Sequence, residues 1–190
     1  MLAKRPPANT GLKKRINEME TQLQHQVDSY RFLDGAGKKM VRSWIRRETP
    51  HEFPWTPLKK SLSESTVTLV SSAGLALKTD QPFDQDGERR NPWWGDPSFR
   101  VIPRMTNADD LKLYHLHVDS NLVEQDLNTF FPLQRLLELE GCGEIGRSAA
   151  NHYSYMGYIL QPQALLEKSV PAMIQHMQQD GVDIALLVPV

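Results

Sequence analysis

One cysteine, Cys142, stands among 190 residues. That excludes an internal disulfide and any cysteine-built zinc or iron–sulfur centre within these residues, and it points to a reducing, cytoplasmic setting. Long apolar runs are also missing: nowhere do about 18 apolar residues follow one another, so no membrane-spanning helix is expected. The basic start MLAKRPPANTGLKKRINEME has neither the apolar core nor the small-residue cleavage site of a secretory signal. Charge of one sign is not in excess either. Lys and Arg together number 22 against 23 Asp and Glu, a formal net charge of -1, so the overall field supplies no drive toward nucleic acid or an anionic membrane. The loop Ser71-Ser72-Ala73-Gly74 matches neither the Walker pattern nor GxGxxG, which leaves nucleotide binding there without a motif.

What is present suffices for one core, since 39% of the residues are hydrophobic. Residues 1–11, with Pro6, Pro7 and Gly11 among basic side chains, read as a flexible tail. Residues 12–49 read as a helical extension. Leu12, Ile16, Met19, Leu23, Val27 and Tyr30 form one amphipathic stripe, suited equally to packing on this domain or on a partner. Gly35 and Gly37 are expected to break that helix, and a short basic helix through Met40, Val41, Trp44 and Ile45 to follow. Residues 50–65 open on a proline-rich connection.

Residues 66–190 carry the pattern of an α/β fold, a mostly parallel sheet flanked by helices in three layers. The β-branched run at 66–70 predicts a central strand leading into the small-residue loop Ser71-Ser72-Ala73-Gly74. Further strands are predicted at 99–102 and 111–118, and a strand-like region at 149–156. Helices are predicted from Pro132 to Gly141 and from Pro162 to Gln179. Gly181 then introduces Val182-Asp183-Ile184-Ala185-Leu186-Leu187-Val188, a continuous apolar run of the kind found in buried parallel strands. In such sheets the functional crevice lies beyond the carboxyl ends of the strands. The sequence stops two residues past this run, so the domain is expected to be incomplete at its C-terminal side.

Several side chains are candidates for chemistry. His115, His117 and Asp119, at alternate positions of a predicted strand, would share one face and with His152 could hold a metal; the same histidines also suit simple backbone hydrogen bonding. Ser72 and Gly74 in the loop after the first strand can present backbone N–H groups to an anion, or merely turn the chain. Lys78 and Asp80 follow closely enough to orient a charged substrate, or to form a solvated pair. The segment Asn151-His152-Tyr153-Ser154-Tyr155-Met156-Gly157-Tyr158 gathers an imidazole, three phenols and a glycine, and is expected to line a site through His152 and Tyr153. Trp93 and Trp94 suit a loop pinned to the core or a docking face. Cys142, between two glycines with no base in view, reads as an incidental thiol.

Read in order, five segments resemble one enzyme family. They are residues 67–80 (VTLVSSAGLALKTD), residues 95–103 (GDPSFRVIP), Asp126-Leu127-Asn128 with Phe131-Pro132-Leu133, residues 152–157 (HYSYMG), and residues 181–189 (GVDIALLVP). Their order and spacing over residues 54–190 are similar to the selenoprotein B component of glycine, sarcosine and betaine reductases and to the selenium-containing subunit of D-proline reductase. The first 50 residues lie outside the resemblance. It implies an oxidoreductase that reductively cleaves a bond at the α-carbon of an amino-acid-like substrate. It implies also a selenocysteine or cysteine nucleophile just after the strand matching residues 182–188, a pyruvoyl group on a partner subunit, and a thioredoxin-type reductant. On that reading the chain ends at a UGA codon before its own nucleophile and is inactive as it stands. Tentative substrate-binding positions are Ser72, Gly74, Lys78, Asp80, His115, His117, His152 and Tyr153, with no metal ligand assigned. A homo-oligomer, a non-catalytic interaction module docking through the N-terminal helix, and a metal enzyme built on His115 and His117 stand as the alternatives.

Overall fold

The computed structural model describes residues 34–46, 56–91 and 93–190. The flexible tail, the amphipathic stripe from Leu12 to Tyr30 and residues 50–55 of the proline-rich connection lie outside the described residues. The chain divides into two compact units, residues 1–55 and 56–190.

In the first unit one helix is described, α1 (Gly35–Ile45). Gly35 and Gly37 form its first turn; the preceding helix that they are expected to break lies outside the described residues. Asp34 explains that turn, since its Oδ1 accepts the Gly37 N–H at 2.6 Å and satisfies a donor that the helix itself leaves open.

The second unit is a twisted, mostly parallel sheet with helices on both faces, as the sequence pattern predicts. In chain order it contains β1 (Thr66–Ser71), β2 (Leu75–Leu77), α2 (Gln85–Arg90), β3 (Phe99–Pro103), β4 (Leu111–Leu113), α3 (Ser120–Gln125), α4 (Leu133–Gly141), β5 (Arg147–Ser148), β6 (Asn151–Tyr155), α5 (Val170–Gln179) and β7 (Ile184–Val188). All six residues of β1 are buried, which places it at the sheet centre. One side of β1 pairs in parallel with β7, in register from Val67 opposite Ile184 to Ser71 opposite Val188. Its other side pairs in parallel first with β5 and then with β6, and β3 closes that flank antiparallel to β6. A separate ribbon, β2 against β4, is antiparallel.

The chain moves one way along the sheet from β1 to β6 and back across β1 from β6 to β7. Right-handed crossovers then put the two connecting helices on opposite faces. Beneath α4 the core gathers Val67, Leu69, Leu75, Ile102, Phe131, Leu133 and Leu136. Beneath α5 it gathers Val70, Tyr153 and Met173, with Phe99, Val101, Val170 and Met177 packed at its margin. A π-type turn at Leu165–Ser169 leads into α5, whose first turn carries Pro171, a position where the missing N–H has no intrahelical partner to lose.

Two expectations are corrected. The strand expected over 111–118 ends at Leu113. Its partner β2 begins at Leu75, just after Gly74 turns with φ of 65°, so no extended partner remains beyond Leu113. The apolar run leading into β7 forms a parallel strand, but not a buried one. It lies at the sheet edge, where Leu186 is 46% and Leu187 70% exposed, while Ile184 and Val188 reach the core.

Candidate functional site

The parallel strands β1 and β6 lie side by side, and the loops that follow them run together, with Ala73 bridged antiparallel to Met156. The carboxyl ends of such strands are the usual place for a ligand crevice in an open α/β sheet. After β1, Ser71 Oγ donates to the Phe130 carbonyl at 2.7 Å and accepts the Ala73 N–H at 3.2 Å, fixing the turn. Gly74 follows with positive φ and its N–H on the Tyr155 carbonyl at 2.8 Å. A side chain there would sit 2.5 Å from Met156 Sδ, so the turn requires glycine for both conformation and space.

The Gly74 carbonyl accepts the Tyr114 N–H at 2.9 Å, and this bond delivers His115 to the crevice. From the other side β6 delivers Gly157. A Cβ on Gly157 would lie 2.8 Å from the Ser72 carbonyl oxygen and 2.9 Å from His115 Nε2, so these three residues meet at the floor. The end of β7 joins them: Ser72 N–H donates to the Val188 carbonyl at 3.1 Å, and Ser72 Oγ accepts the Val190 N–H at 2.9 Å.

His115 is buried, and its Nδ1 accepts the His117 backbone N–H at 3.2 Å. The neutral ring therefore carries its proton on Nε2, facing the floor. Burial, with His117 as a smaller contribution, holds its pKa below the usual histidine value. His117 is exposed and packs against Tyr158 with ring centres 4.5 Å apart and the rings tilted by 58°. Its Nε2 lies 3.5 Å from Oε1 of Glu88, a carboxylate on α2 that is only 3% exposed. Burial pushes the Glu88 carboxyl up, and His117 opposes part of that shift.

Four of the sequence candidates, Ser72, Gly74, His115 and His117, thus come together. The others lie elsewhere. Lys78 lines a separate cavity with Asp109, Lys112 and Ser120, and Asp80 Oδ2 caps the end of β2 by accepting the Leu77 N–H at 3.1 Å. His152 is fully buried and completes the sheet. The chain bulges between β5 and β6, and His152 Nδ1 replaces the absent carbonyl by accepting the Leu69 N–H at 3.0 Å, while Nε2 meets Ser148 Oγ at 3.0 Å. Burial lowers its pKa to about 4. Tyr153 is fully buried against α5, with its pKa pushed up to about 12 by burial and then by Asp180.

Asp119, outside any strand, accepts the Asn121 N–H at 3.0 Å ahead of α3, so the one-face arrangement with the histidines is not formed. Among the described residues no three His, Cys, Asp or Glu side chains are grouped to hold a metal ion. Cys142 is exposed. Trp93 is 66% exposed, whereas Trp94 sits over α2, where a Cβ on Gly87 would meet its ring at 2.6 Å. A cavity of about 390 Å³ lined by Arg104, Asn107, Asp126, Asn128 and Gln134 contains none of the predicted residues.

Glu88 is not singled out by the sequence, and Gly157 is named there only as the glycine of the segment 151–158. Glu88 stands in the charged string Asp86-Gly87-Glu88-Arg89-Arg90, where nothing marks one carboxylate as buried. Gly157 closes a segment whose aromatic residues draw attention away from it.

No family model matches the chain, and no solved structure matches it. No helix among the described residues is long and apolar enough to cross a membrane. Among curated proteins, the chain is 32% identical over 133 residues to a D-proline reductase subunit gamma from Acetoanaerobium sticklandii. The match takes in 70% of this chain and 52% of that protein, so the chain spans about half the length of the relative it matches. This homology supports a place among proteins related to the D-proline reductase subunit.

Proposed function

We propose that this chain belongs to a subunit of a reductase of the D-proline reductase type, and that its substrate lies in the crevice floored by Ser72, Gly157 and His115. The observation that carries the reading is the meeting of these residues with the end of β7. The Val190 N–H on Ser72 Oγ, at 2.9 Å, brings the chain past β7 directly to the crevice. A nucleophile encoded beyond the Val190 codon, selenocysteine or cysteine, would stand beside His115 and Ser72.

The reaction is the reductive cleavage of a carbon–nitrogen bond at the α-carbon of an amino-acid-like substrate. Two electrons and two protons are consumed: the carbon and the leaving amine each gain a hydrogen, and a dithiol of a thioredoxin-type system becomes a disulfide. Selenocysteine supplies a selenolate that is ionised at neutral pH, where an ordinary thiol is largely protonated. A pyruvoyl group on a partner subunit activates the amine. The work of this chain is to shape the floor, present the His115 Nε2–H and keep Ser72 and Gly157 close enough to exclude water.

The relative is named as a subunit, and the exposed Leu186 and Leu187 of β7 support an assembly in which a further protein segment covers that edge. Two measurements test the proposal. Native protein is assayed for D-proline reduction with a dithiol, alongside glycine, sarcosine and betaine, and for bound selenium. The coding sequence past the Val190 codon is read in parallel. D-proline turnover with an in-frame UGA or cysteine codon is expected; no turnover of any of the four, or no open frame beyond the codon, would sink the proposal.

A further inference from the structure

One residue of the β1 turn holds the end of β7 twice. Val188 stands opposite Ser71 at the last position of the β1–β7 ladder, and the Ser72 N–H extends that ladder to the Val188 carbonyl at 3.1 Å. Pro189 has no N–H to offer and favours an extended Val188, so Val190 supplies the next backbone donor. No strand remains to accept it, because β1 ends at Ser71 and the chain turns at Gly74. Ser72 Oγ takes that place, accepting the Val190 N–H at 2.9 Å. Ser72 thus grips the chain on both sides of Pro189, once through its backbone and once through its hydroxyl.

Ser72 is itself fixed. Ser71 Oγ ties the strand end to the Phe130 carbonyl and the Ala73 N–H, and Ala73 is bridged to Met156. Gly157 approaches so closely that a Cβ there would sit 2.8 Å from the Ser72 carbonyl oxygen. Ser72 is only 7% exposed. A serine hydroxyl carries one hydrogen and two lone pairs. The Val190 N–H occupies one lone pair of Ser72 Oγ, and among the described residues nothing accepts the hydroxyl hydrogen. A donor so placed suits an anion beside it, since a hydrogen bond to a charged acceptor is stronger than one to a neutral acceptor.

We propose that Ser72 is the positioning residue of the nucleophile: it clamps the backbone at Val188 and Val190, and it donates its hydroxyl hydrogen to the anionic sulfur or selenium of the residue that follows. The inference rests on the reading that a cysteine or selenocysteine is encoded after Val190. It adds the residue that holds that group and the bond that favours its anion over the neutral form. His115 is the titratable side chain that reaches the same floor, and it is common to every protein compared below.

The test follows alkylation of the residue after Val190 by iodoacetamide as a function of pH, in the native assembly, for wild type, Ser72→Ala and Ser72→Thr. Peptide mass spectrometry separates this site from the exposed Cys142, whose alkylation is expected to be the same in all three. Loss of one charge-assisted hydrogen bond raises the midpoint of the profile by about one pH unit in Ser72→Ala. Ser72→Thr keeps a hydroxyl and recovers most of that shift. Ser72→Val, which has the shape of Ser72→Thr without the hydroxyl, serves should Ser72→Ala fail to fold. An unshifted midpoint in the folded variants, a shift that Ser72→Thr leaves uncorrected, or no alkylatable residue after Val190 would overturn the proposal. A hydroxyl-dependent midpoint in an assembly that reduces none of D-proline, glycine, sarcosine and betaine would leave the clamp standing and remove the reductase reading alone. D-proline turnover with an unshifted midpoint would do the reverse.

Discussion

Replacing His152 by Asn separates a structural imidazole from a catalytic one. Asn keeps an acceptor near the place of Nδ1, so the Leu69 N–H remains satisfied, but it cannot titrate. In the folded protein burial holds the His152 pKa at about 4, against 6.5 for the free side chain. A histidine whose pKa is depressed by folding contributes its stability above the unfolded value, and that stability is lost as pH falls from about 6.5 toward 4, because the unfolded chain takes up the proton first. The shift from 6.5 to about 4 corresponds to about 3 kcal/mol at its limit, of which about 2 kcal/mol should be lost between pH 7 and pH 4.5. Urea unfolding of wild type and His152→Asn at both pH values measures it. The wild type should lose about 2 kcal/mol more than the variant over that interval. His115, also depressed by burial, titrates in both proteins and cancels in the difference. Equal losses in the two proteins would refute the reasoning.

Other expectations follow from packing. Leu69, fully buried under α4, and Leu187, 70% exposed on the edge strand, should respond very differently to alanine: about 2–5 kcal/mol for Leu69→Ala and within about 0.5 kcal/mol for Leu187→Ala by chemical denaturation. Gly74→Ala must place a Cβ 2.5 Å from Met156 Sδ at a φ of 65°, and should destabilise by roughly 1–3 kcal/mol in the same assay.

Much of this was legible because β-branched residues and glycine stops report local structure directly. Residues 66–70 read as a central strand because five consecutive positions suit a pleated strand buried on both faces, and β1 is so buried. The run 184–188 reads the same way, yet burial of β7 depends on what covers it, which no local pattern records. Helix α2 has six residues and no apolar stripe; what starts it is Asp84 Oδ1 accepting the Gly87 N–H at 2.8 Å. In the site, Ser72 and Gly74 were visible as a loop after a strand, and His115 and His117 as a pair. The placement of His152 was not visible, because a bulge between β5 and β6 leaves the Leu69 N–H without a backbone partner and the imidazole fills the gap. Glu88 was hidden for a similar reason, since its burial comes from the segments folded over α2 and not from its neighbours in sequence.

The claim that the crevice, and not the separate cavity lined by Lys78, holds the substrate is tested most directly by D-proline turnover of the native assembly carrying His115→Gln or Lys78→Ala. His115→Gln should lower kcat/KM by about ten-fold or more while the protein stays folded, because the Nε2–H at the floor is displaced. Lys78→Ala, in its separate cavity, should leave turnover unchanged. Full activity in folded His115→Gln, with loss in Lys78→Ala, would contradict the account.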